Sequence, residues 1–212
     1  NKSLRNAITR MQRLGYRTEV HLPPLDNALL ATLHAISDAW LTARSGGEMH
    51  FSDGWFADDY MRGSTVMVVY NADGSASAFA NLVPEYQKNE LSIDLMRHYP
   101  NMENGVMDFL FAQLLLWAQE QGVATFSLGL SAIVGVGESP NDPRVEQTLH
   151  AISERIARFY NFKGLHNFKD KFHPAWEARY LVYPRAVSLP LVLTTLINVH
   201  TGGNELRKFL KR

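Results

Sequence analysis

The hydrophobic period of the sequence changes from helical to strand-like at residue 65, and this change constrains the fold more than any other feature. Before it, apolar residues recur at helical spacing over residues 3–15 and again after Asp26, which predicts two helices with Asp26 as an N-cap. After it, a β-rich run from Thr65, turn residues at 71–74 and a second β-rich run over residues 77–83 predict a hairpin.

Downstream of the hairpin, strand and helix patterns alternate. Asn104 is the expected cap of one helix, and Asp142, which is followed by proline, is the expected cap of another. This order predicts a mixed β-sheet flanked by helices, that is, an α/β or α+β domain. The predicted strands cover residues 90–97, 124–130, 164–172 and 178–184, and the helices run from 104 to 122 and from 142 to 159.

The charge of the 212-residue chain is zero overall but unevenly distributed. Residues 1–45 carry +3, residues 46–150 carry −10 and residues 151–212 carry +7. Two interpretations are open: solvated helix faces of opposite sign, or a basic end that binds a polyanion beside an acidic middle that receives a cationic group. The absence of cysteine excludes a disulfide framework, a thiol nucleophile and a thiolate metal site.

The sequence also suggests how the chain is divided. We expect a linker helix and junction over residues 1–24, a catalytic domain over residues 25–185, and an amphipathic helix with a basic tail over residues 186–212. The apolar stretch at 186–199 is too short to cross a bilayer, which takes about 20 residues, although it could lie at a lipid surface. The chain starts at Asn1 and has no signal peptide, so we expect it to be part of something longer.

Common cofactor motifs are missing from the sequence. It contains neither a phosphate-binding loop with Gly-Lys-Ser/Thr, nor Gly-x-Gly-x-x-Gly, nor His-Glu-x-x-His. Gly135-Val136-Gly137 is a bare Gly-x-Gly, which fits a connector or a weak anion site. The eight histidines show no pair at metal-ligand spacing. We therefore expect no metal and no cofactor.

Two clusters could carry chemistry. Asp94 lies among apolar residues of a predicted strand, where a carboxylate needs a partner, and Arg97 is the nearest candidate. This pair either braces the sheet or forms a site. In the second cluster, which covers residues 159–181, Lys169 and Lys171 would share one face of a strand. That face either binds phosphates or is exposed to solvent without a ligand.

The second cluster belongs to a stretch that resembles a known family. The segment FYNFKGLHNFKDKFHPAWEARYLVYP is similar to the carboxy-terminal hallmark of the bacterial aminoacyl-phosphatidylglycerol synthases, the multiple peptide resistance factor family. Further blocks match in the same order and bring the resemblance to residues 45–184, roughly two-thirds of the chain. These blocks are FSDGWFADDY, SAFANL, SIDLMR, NGVMDFLFAQLLLWAQEQG and FSLGL.

The resemblance implies a fold and a reaction. The family's soluble part consists of two acetyltransferase-like (GNAT-type) folds joined by a long helix, and this chain would hold the second fold and that helix. An amino-terminal GNAT-like domain and a membrane region would complete the full-length protein. The reaction moves an aminoacyl group from aminoacyl-tRNA to a hydroxyl of phosphatidylglycerol, a lipid aminoacylation that confers resistance to cationic peptides. Phosphatidylglycerol, an anionic membrane surface and aminoacyl-tRNA are the implied partners, at the cytoplasmic face of the bacterial cell membrane.

The resemblance also implies roles for particular residues. Asp94 would meet the donor's α-ammonium or the attacking hydroxyl, and Arg97 would hold a phosphate or carbonyl oxygen. After FSLGL the family usually continues with Ala-Pro-Leu, whereas Ser131-Ala132-Ile133 stands here, so the contacts of this loop with the aminoacyl group are open.

Substrate binding would fall to charged residues of the hallmark stretch. Lys169 and Arg179 would sit on tRNA or lipid phosphate, with Lys171 beside them, and Glu177 would accept from the donor ammonium. The charges of these side chains suit a phosphate chain and a cationic amino acid.

Two other functions fit the same fold. An acetyl-coenzyme A-dependent N-acetyltransferase would need a glycine-rich pyrophosphate loop before the helix, but residues 97–105 contain one glycine and one acidic residue. A non-catalytic domain that retains the fold is the other alternative.

Overall fold

The structure is a computed structural model that describes residues 2–43, 54–131, 135–148, 150, 162–185 and 188–200. These residues fall into two compact units. We call them the sheet unit, which ends at Gly129, and the carboxy-terminal unit, which begins at Leu130.

The sheet unit contains four helices and five strands among its described residues. They are α1 (Lys2–Arg13), β1 (Arg17–His21), α2 (Asn27–Thr42), α3 (Asp58–Arg62), β2 (Thr65–Tyr70), β3 (Ala76–Glu85), β4 (Glu90–His98), α4 (Val106–Glu120) and β5 (Thr125–Ser127). In the carboxy-terminal unit, residues 144–148 are helical, followed by α5 (Phe162–Asp170) and α6 (Leu189–His200).

The sheet follows the order of the chain, β1-β2-β3-β4-β5. The first four strands are antiparallel, and β5 pairs in parallel with β4. The predicted mixed sheet flanked by helices is therefore confirmed. Pairing between β4 and β5 runs only from Glu90 to Ser92, so the register of β4 from Ile93 onward is with β3 alone.

The sheet is covered on both faces. Alternate residues of β2 point to opposite sides, and all four central residues of this strand are buried. Val66 and Val68 join a buried cluster with Leu33 and Ile36 of α2 and Phe79 of β3. On the other side α4 packs against β2 and β3, and α1 packs against α4.

Several local predictions are confirmed. Asp26 caps α2, because its Oδ1 accepts a hydrogen bond from the backbone N of Leu29 at 2.7 Å. The hairpin turn lies where the turn residues predicted it, with Gly74 in the left-handed region at a φ of 86°. The Asp142-Pro143 pair precedes the helical residues 144–148, and the rest of that predicted helix lies outside the described residues.

Other local predictions are wrong. The strand expected over 164–172 is the helix α5, so Lys169 and Lys171 do not share a strand face, and residues 178–184 form no regular structure. Leu165, Phe168 and Phe172 also have helical spacing, and the charged residues between them imitate strand alternation.

The sequence prediction also missed or misplaced two features of the sheet unit. Strand β1 was missed; with five residues at the sheet edge, its pattern is too short to stand out. Asn104 is not the cap of α4, because the residue before that helix is Gly105, with a φ of 96°.

The amino-terminal elements belong to the sheet unit. β1 pairs with β2, and Arg10 of α1 forms an ion pair with Glu103 and donates to the backbone oxygen of Asn104. The expected domain boundaries stay predictions, and the basic tail lies outside the described residues. None of the helices in the described ranges is long and apolar enough to span a bilayer.

Candidate functional site

Asp94 lies at a bulge in β4. Ala80 of β3 is opposite Met96 and Leu82 is opposite Ile93, so Asn81 faces two residues, Asp94 and Leu95. The backbone N of Leu95 donates to Oδ1 of Asn81 at 2.7 Å, which replaces a ladder hydrogen bond that the bulge disrupts. Bulges of this kind re-aim side chains, and here the residue that is re-aimed is a carboxylate.

Two residues from an earlier part of the chain hold the Asp94 carboxylate. Its Oδ1 accepts from the backbone N of Gly54 at 2.7 Å, and its Oδ2 accepts from the hydroxyl of Tyr60 on α3. That hydroxyl also accepts from Nδ2 of Asn81 at 3.0 Å. Asn81 is fully buried, and both ends of its amide are used. We call Gly54, Tyr60, Asn81 and Asp94 the Asp94 cluster.

Gly54 fits closely against this carboxylate. A Cβ added at Gly54 would overlap Oδ2 of Asp94 and would stand 3.1 Å from Cε1 of Tyr60. The backbone can therefore approach the acid only because residue 54 has no side chain.

The Asp94 cluster also fixes the protonation of the phenol. Burial raises the pKa of Tyr60, and the hydrogen bond and negative charge of Asp94 raise it further, while the hydrogen bond from Asn81 lowers it. At neutral pH the phenol is therefore protonated and donates to the carboxylate. Tyr60 remains 37% exposed, so this part of the cluster faces solvent.

Arg97 lies on β4 but contacts different partners. Its side chain is 3% exposed, its Nη1 donates to Oγ of Ser37 at 2.5 Å, and its guanidinium lies 5.2 Å from the centre of the Trp40 ring. The bracing pair of Asp94 with Arg97 that the sequence left open does not form between these two described residues. Contact of Arg97 with a substrate oxygen stays a prediction, and in this structure the side chain joins β4 to α2.

The two lysines of the carboxy-terminal unit have different environments. Lys169 is 4% exposed, and its Nζ donates to the backbone oxygen of Leu130 at 2.9 Å. Lys171 is exposed, with Nζ 5.2 Å from the centre of the Phe168 ring. Phosphate binding by these lysines stays a prediction.

Glu177 and Arg179 form an ion pair with each other at 2.9 Å. Both side chains are about 70% exposed, so the pair is weak, at about 0–1 kcal/mol. Such a pair can open readily to a charged ligand, and the roles predicted for the two residues remain predictions.

The carboxy-terminal unit also contains a histidine, His166, that was not predicted as a site residue from the sequence. Nδ1 of His166 is 3.2 Å from Oγ of Ser131, the first of the three residues that stand in place of Ala-Pro-Leu. The imidazole stacks on Trp176 with ring centres 4.4 Å apart, and Nε1 of Trp176 donates to Asp170 at 3.1 Å. His166 and Lys169 are three residues apart on α5, so one face of this helix holds the Leu130–Ser131 segment.

The sheet unit contains a cleft of about 660 Å³, and none of the predicted site residues lines it. His21, Asp26, Tyr70, Asn71 and Tyr99 are among its lining residues. None of the residues that line it lies in a sequence block that resembles the family. The Asp94 cluster is the better candidate for the functional site, because three of the matched blocks meet there.

Comparison with known proteins identifies the family. The family model described as phosphatidylglycerol lysyltransferase, C-terminal, matches residues 1–183. The chain belongs to this family. The phosphatidylglycerol lysyltransferase of Bacillus subtilis is 37% identical over 194 residues, which is 91% of this chain and 22% of that protein. That of Staphylococcus xylosus is 33% identical and covers 96% of this chain and 24% of its own length. The chain thus spans about a quarter of the curated relatives that it matches.

Two solved structures support the same membership. L-PGS from Bacillus licheniformis superposes with a TM-score of 0.76 at 33% identity, over 94% of this chain and 59% of that one. The C-terminal domain of a putative lysylphosphatidylglycerol synthetase from Agrobacterium fabrum gives 0.80 at 37% identity, over 95% and 60%.

The blocks that resemble the lysyltransferase family meet at the Asp94 cluster. Gly54 and Tyr60 come from FSDGWFADDY, Asn81 from SAFANL and Asp94 from SIDLMR. Sequence reasoning selected Asp94 and missed the other three residues. One signal for Asn81 was available, because it is an amide within the apolar run of β3.

Proposed function

We propose that this chain carries the part of a phosphatidylglycerol lysyltransferase that moves an aminoacyl group from aminoacyl-tRNA to a hydroxyl of phosphatidylglycerol. The names of the relatives support lysine as the amino acid and phosphatidylglycerol as the acceptor. The aminoacyl-tRNA donor, the anionic membrane surface and a location at the cytoplasmic face of the membrane follow from the resemblance of the sequence.

The observation that carries the proposal is the Asp94 cluster. Three separate blocks of the family pattern supply its members, and they hold one carboxylate in a fixed orientation beside a partly exposed tyrosine. Ester exchange requires that a hydroxyl is positioned and deprotonated. A carboxylate in a fixed orientation can accept the proton, either directly or through a neighbouring group.

The charges of the chain suit the two substrates. Residues 46–150 carry −10, the correct sign for a lysyl group, whereas residues 151–212 carry +7, the correct sign for tRNA and lipid phosphates. Within the basic segment we keep Lys169, Lys171 and Arg179 as proposed phosphate ligands and Glu177 as a proposed ammonium ligand.

The test is an assay of lipid lysylation with the full-length protein that the gene encodes. Labelled lysyl-tRNA and phosphatidylglycerol vesicles should yield labelled lysyl-phosphatidylglycerol. Asp94→Asn should lower turnover by about 10²–10⁴-fold, the contribution of a positioned acid–base group. Asp38→Asn is the matched control, because Asp38 lies on the exposed side of α2, where it pairs with His34. Full activity of Asp94→Asn would refute the assignment.

The two alternatives are tested on the same preparation. Saturable heat on titration with acetyl-coenzyme A, together with no transfer of lysine, would favour an acetyltransferase. A folded protein that binds neither acetyl-coenzyme A nor a lysyl-tRNA mimic would favour a non-catalytic domain.

A further inference from the structure

We propose that Tyr60 is the proton-transferring group of the site, and that it relays the proton of the attacking hydroxyl to Asp94. This inference rests on the proposed function, and it adds a catalytic residue that lies on α3, outside the strand that carries Asp94.

The first argument is access to the carboxylate. Oδ1 of Asp94 is engaged by the backbone N of Gly54. Oδ2 receives the hydroxyl of Tyr60, and the backbone of Gly54 lies so close to this oxygen that a Cβ would overlap it. Asp94 itself is partly buried, whereas Tyr60 keeps 37% of its surface exposed. Tyr60 is thus the more exposed of the two residues, and we place the substrate hydroxyl on its side of the cluster.

The second argument is the hydrogen-bond capacity of the phenol. A tyrosine hydroxyl has one proton and can accept two hydrogen bonds. The proton points to Asp94, and Nδ2 of Asn81 fills one acceptor position at 3.0 Å. No other described residue donates to this oxygen, which leaves one acceptor position for the proton of a substrate hydroxyl. Asn81 is in turn fixed by the backbone N of Leu95, so the orientation of the phenol oxygen is set from the buried side.

The third argument is the protonation state. The raised pKa of Tyr60, caused first by burial and then by Asp94, keeps the phenol protonated at neutral pH. A phenolate would repel the carboxylate and could not pass a proton to it. A neutral phenol beside a carboxylate can donate one proton while it accepts another, which is the arrangement a relay requires.

The step balances as an ester exchange. The lipid hydroxyl oxygen bonds to the carbonyl carbon of the aminoacyl ester while its proton moves to Oη of Tyr60, and the proton of Tyr60 moves to Oδ2 of Asp94. When the bond between that carbon and the ribose oxygen of the tRNA breaks, the proton returns along the same path to the ribose oxygen. Tyr60 and Asp94 end in their starting states.

The experiment uses the full-length protein in the lysylation assay. It compares the unmodified protein with Tyr60→Phe, Asp94→Asn and the double variant. Tyr60→Phe keeps the ring and removes only the hydroxyl. We expect kcat to fall by about 10²–10⁴-fold with little change in KM. The double variant should be no slower than the slower single variant, because both residues act in one step. Tyr86→Phe is the control, since Tyr86 is 92% exposed.

A second measurement separates relay from positioning. Under single-turnover conditions, the dependence of rate on the D₂O fraction should be curved for the unmodified protein, because two protons move, and straight for Tyr60→Phe. Thermal unfolding of each variant excludes a folding defect, and Tyr60→Leu provides a second variant if phenylalanine disturbs the site. Near-normal kcat for Tyr60→Phe, or a straight line for the unmodified protein, would overturn the relay. Absence of lysyl lipid with the unmodified protein would instead refute the proposed function.

Discussion

The geometry of the site requires a glycine at position 54. Its backbone N is one of two donors to the Asp94 carboxylate among the residues that the structure describes, and the same close approach leaves no room for a Cβ. A hydrogen bond to a charged group contributes about 1.5–3 kcal/mol. The glycine therefore serves the orientation of the acid rather than a turn, since its φ does not lie in the left-handed region.

At this scale we predict that Gly54→Ala will impair activity more than stability. The new Cβ must displace either the backbone or the carboxylate, so kcat/KM should fall roughly 10- to 100-fold, which corresponds to the lost hydrogen bond. Gly63→Ala is the matched control, because a Cβ there would meet its nearest atoms at an ordinary 3.6 Å. Lysylation assays and thermal unfolding of both variants would test this. Equal activity of the two variants would contradict it.

The helices and strands show which parts of the fold the local sequence specifies. The β2–β3 hairpin and α2 were predicted because turn chemistry and a capping aspartate mark them within a few residues. The helix α5 was not, because its residues satisfy two periods and tertiary packing chooses between them. The Asp94 cluster was found only in part, because its contacts are distant in sequence: Tyr60 donates to Asp94 across 34 positions, and Asn81 donates to Tyr60 across 21. The bulge that places Asp94 opposite Asn81 has no local sequence signal.

The cap of α2 gives a prediction for an element. Asp26→Ala removes the acceptor for the backbone N of Leu29 and should destabilise the protein by about 1 kcal/mol. For a chain of this length, the melting temperature should fall by about 2–4 °C. Asp26→Asn should stay close to the unmodified protein, because asparagine caps equally well. A loss with asparagine as large as that with alanine would mean that the charge, and not the cap, is what matters.

On the scale of the whole chain, the proposed contact with an anionic membrane is best served by the carboxy-terminal unit, because there exposed apolar residues of a helix lie within a basic segment. The second part of this unit, residues 151–212, carries a net charge of +7. There, Leu191 at the start of α6 is 70% exposed, and Val199 on the same face is 43% exposed. Exposed apolar residues beside a basic segment are typical of helices that bind anionic lipid surfaces.

We therefore predict that the chain binds phosphatidylglycerol vesicles more tightly than phosphatidylcholine vesicles, and that salt weakens the binding. Leu191→Ser should reduce the partition coefficient roughly tenfold or more, since burying a leucine side chain contributes about 1.5–3 kcal/mol. Leu22→Ser is the control, because Leu22 is 67% exposed but lies in the sheet unit. Vesicle sedimentation at two salt concentrations measures both effects. If the two serine variants lose binding equally, or if the chain does not distinguish the two lipids, then α6 is not the membrane-facing element and its exposed leucine has another partner.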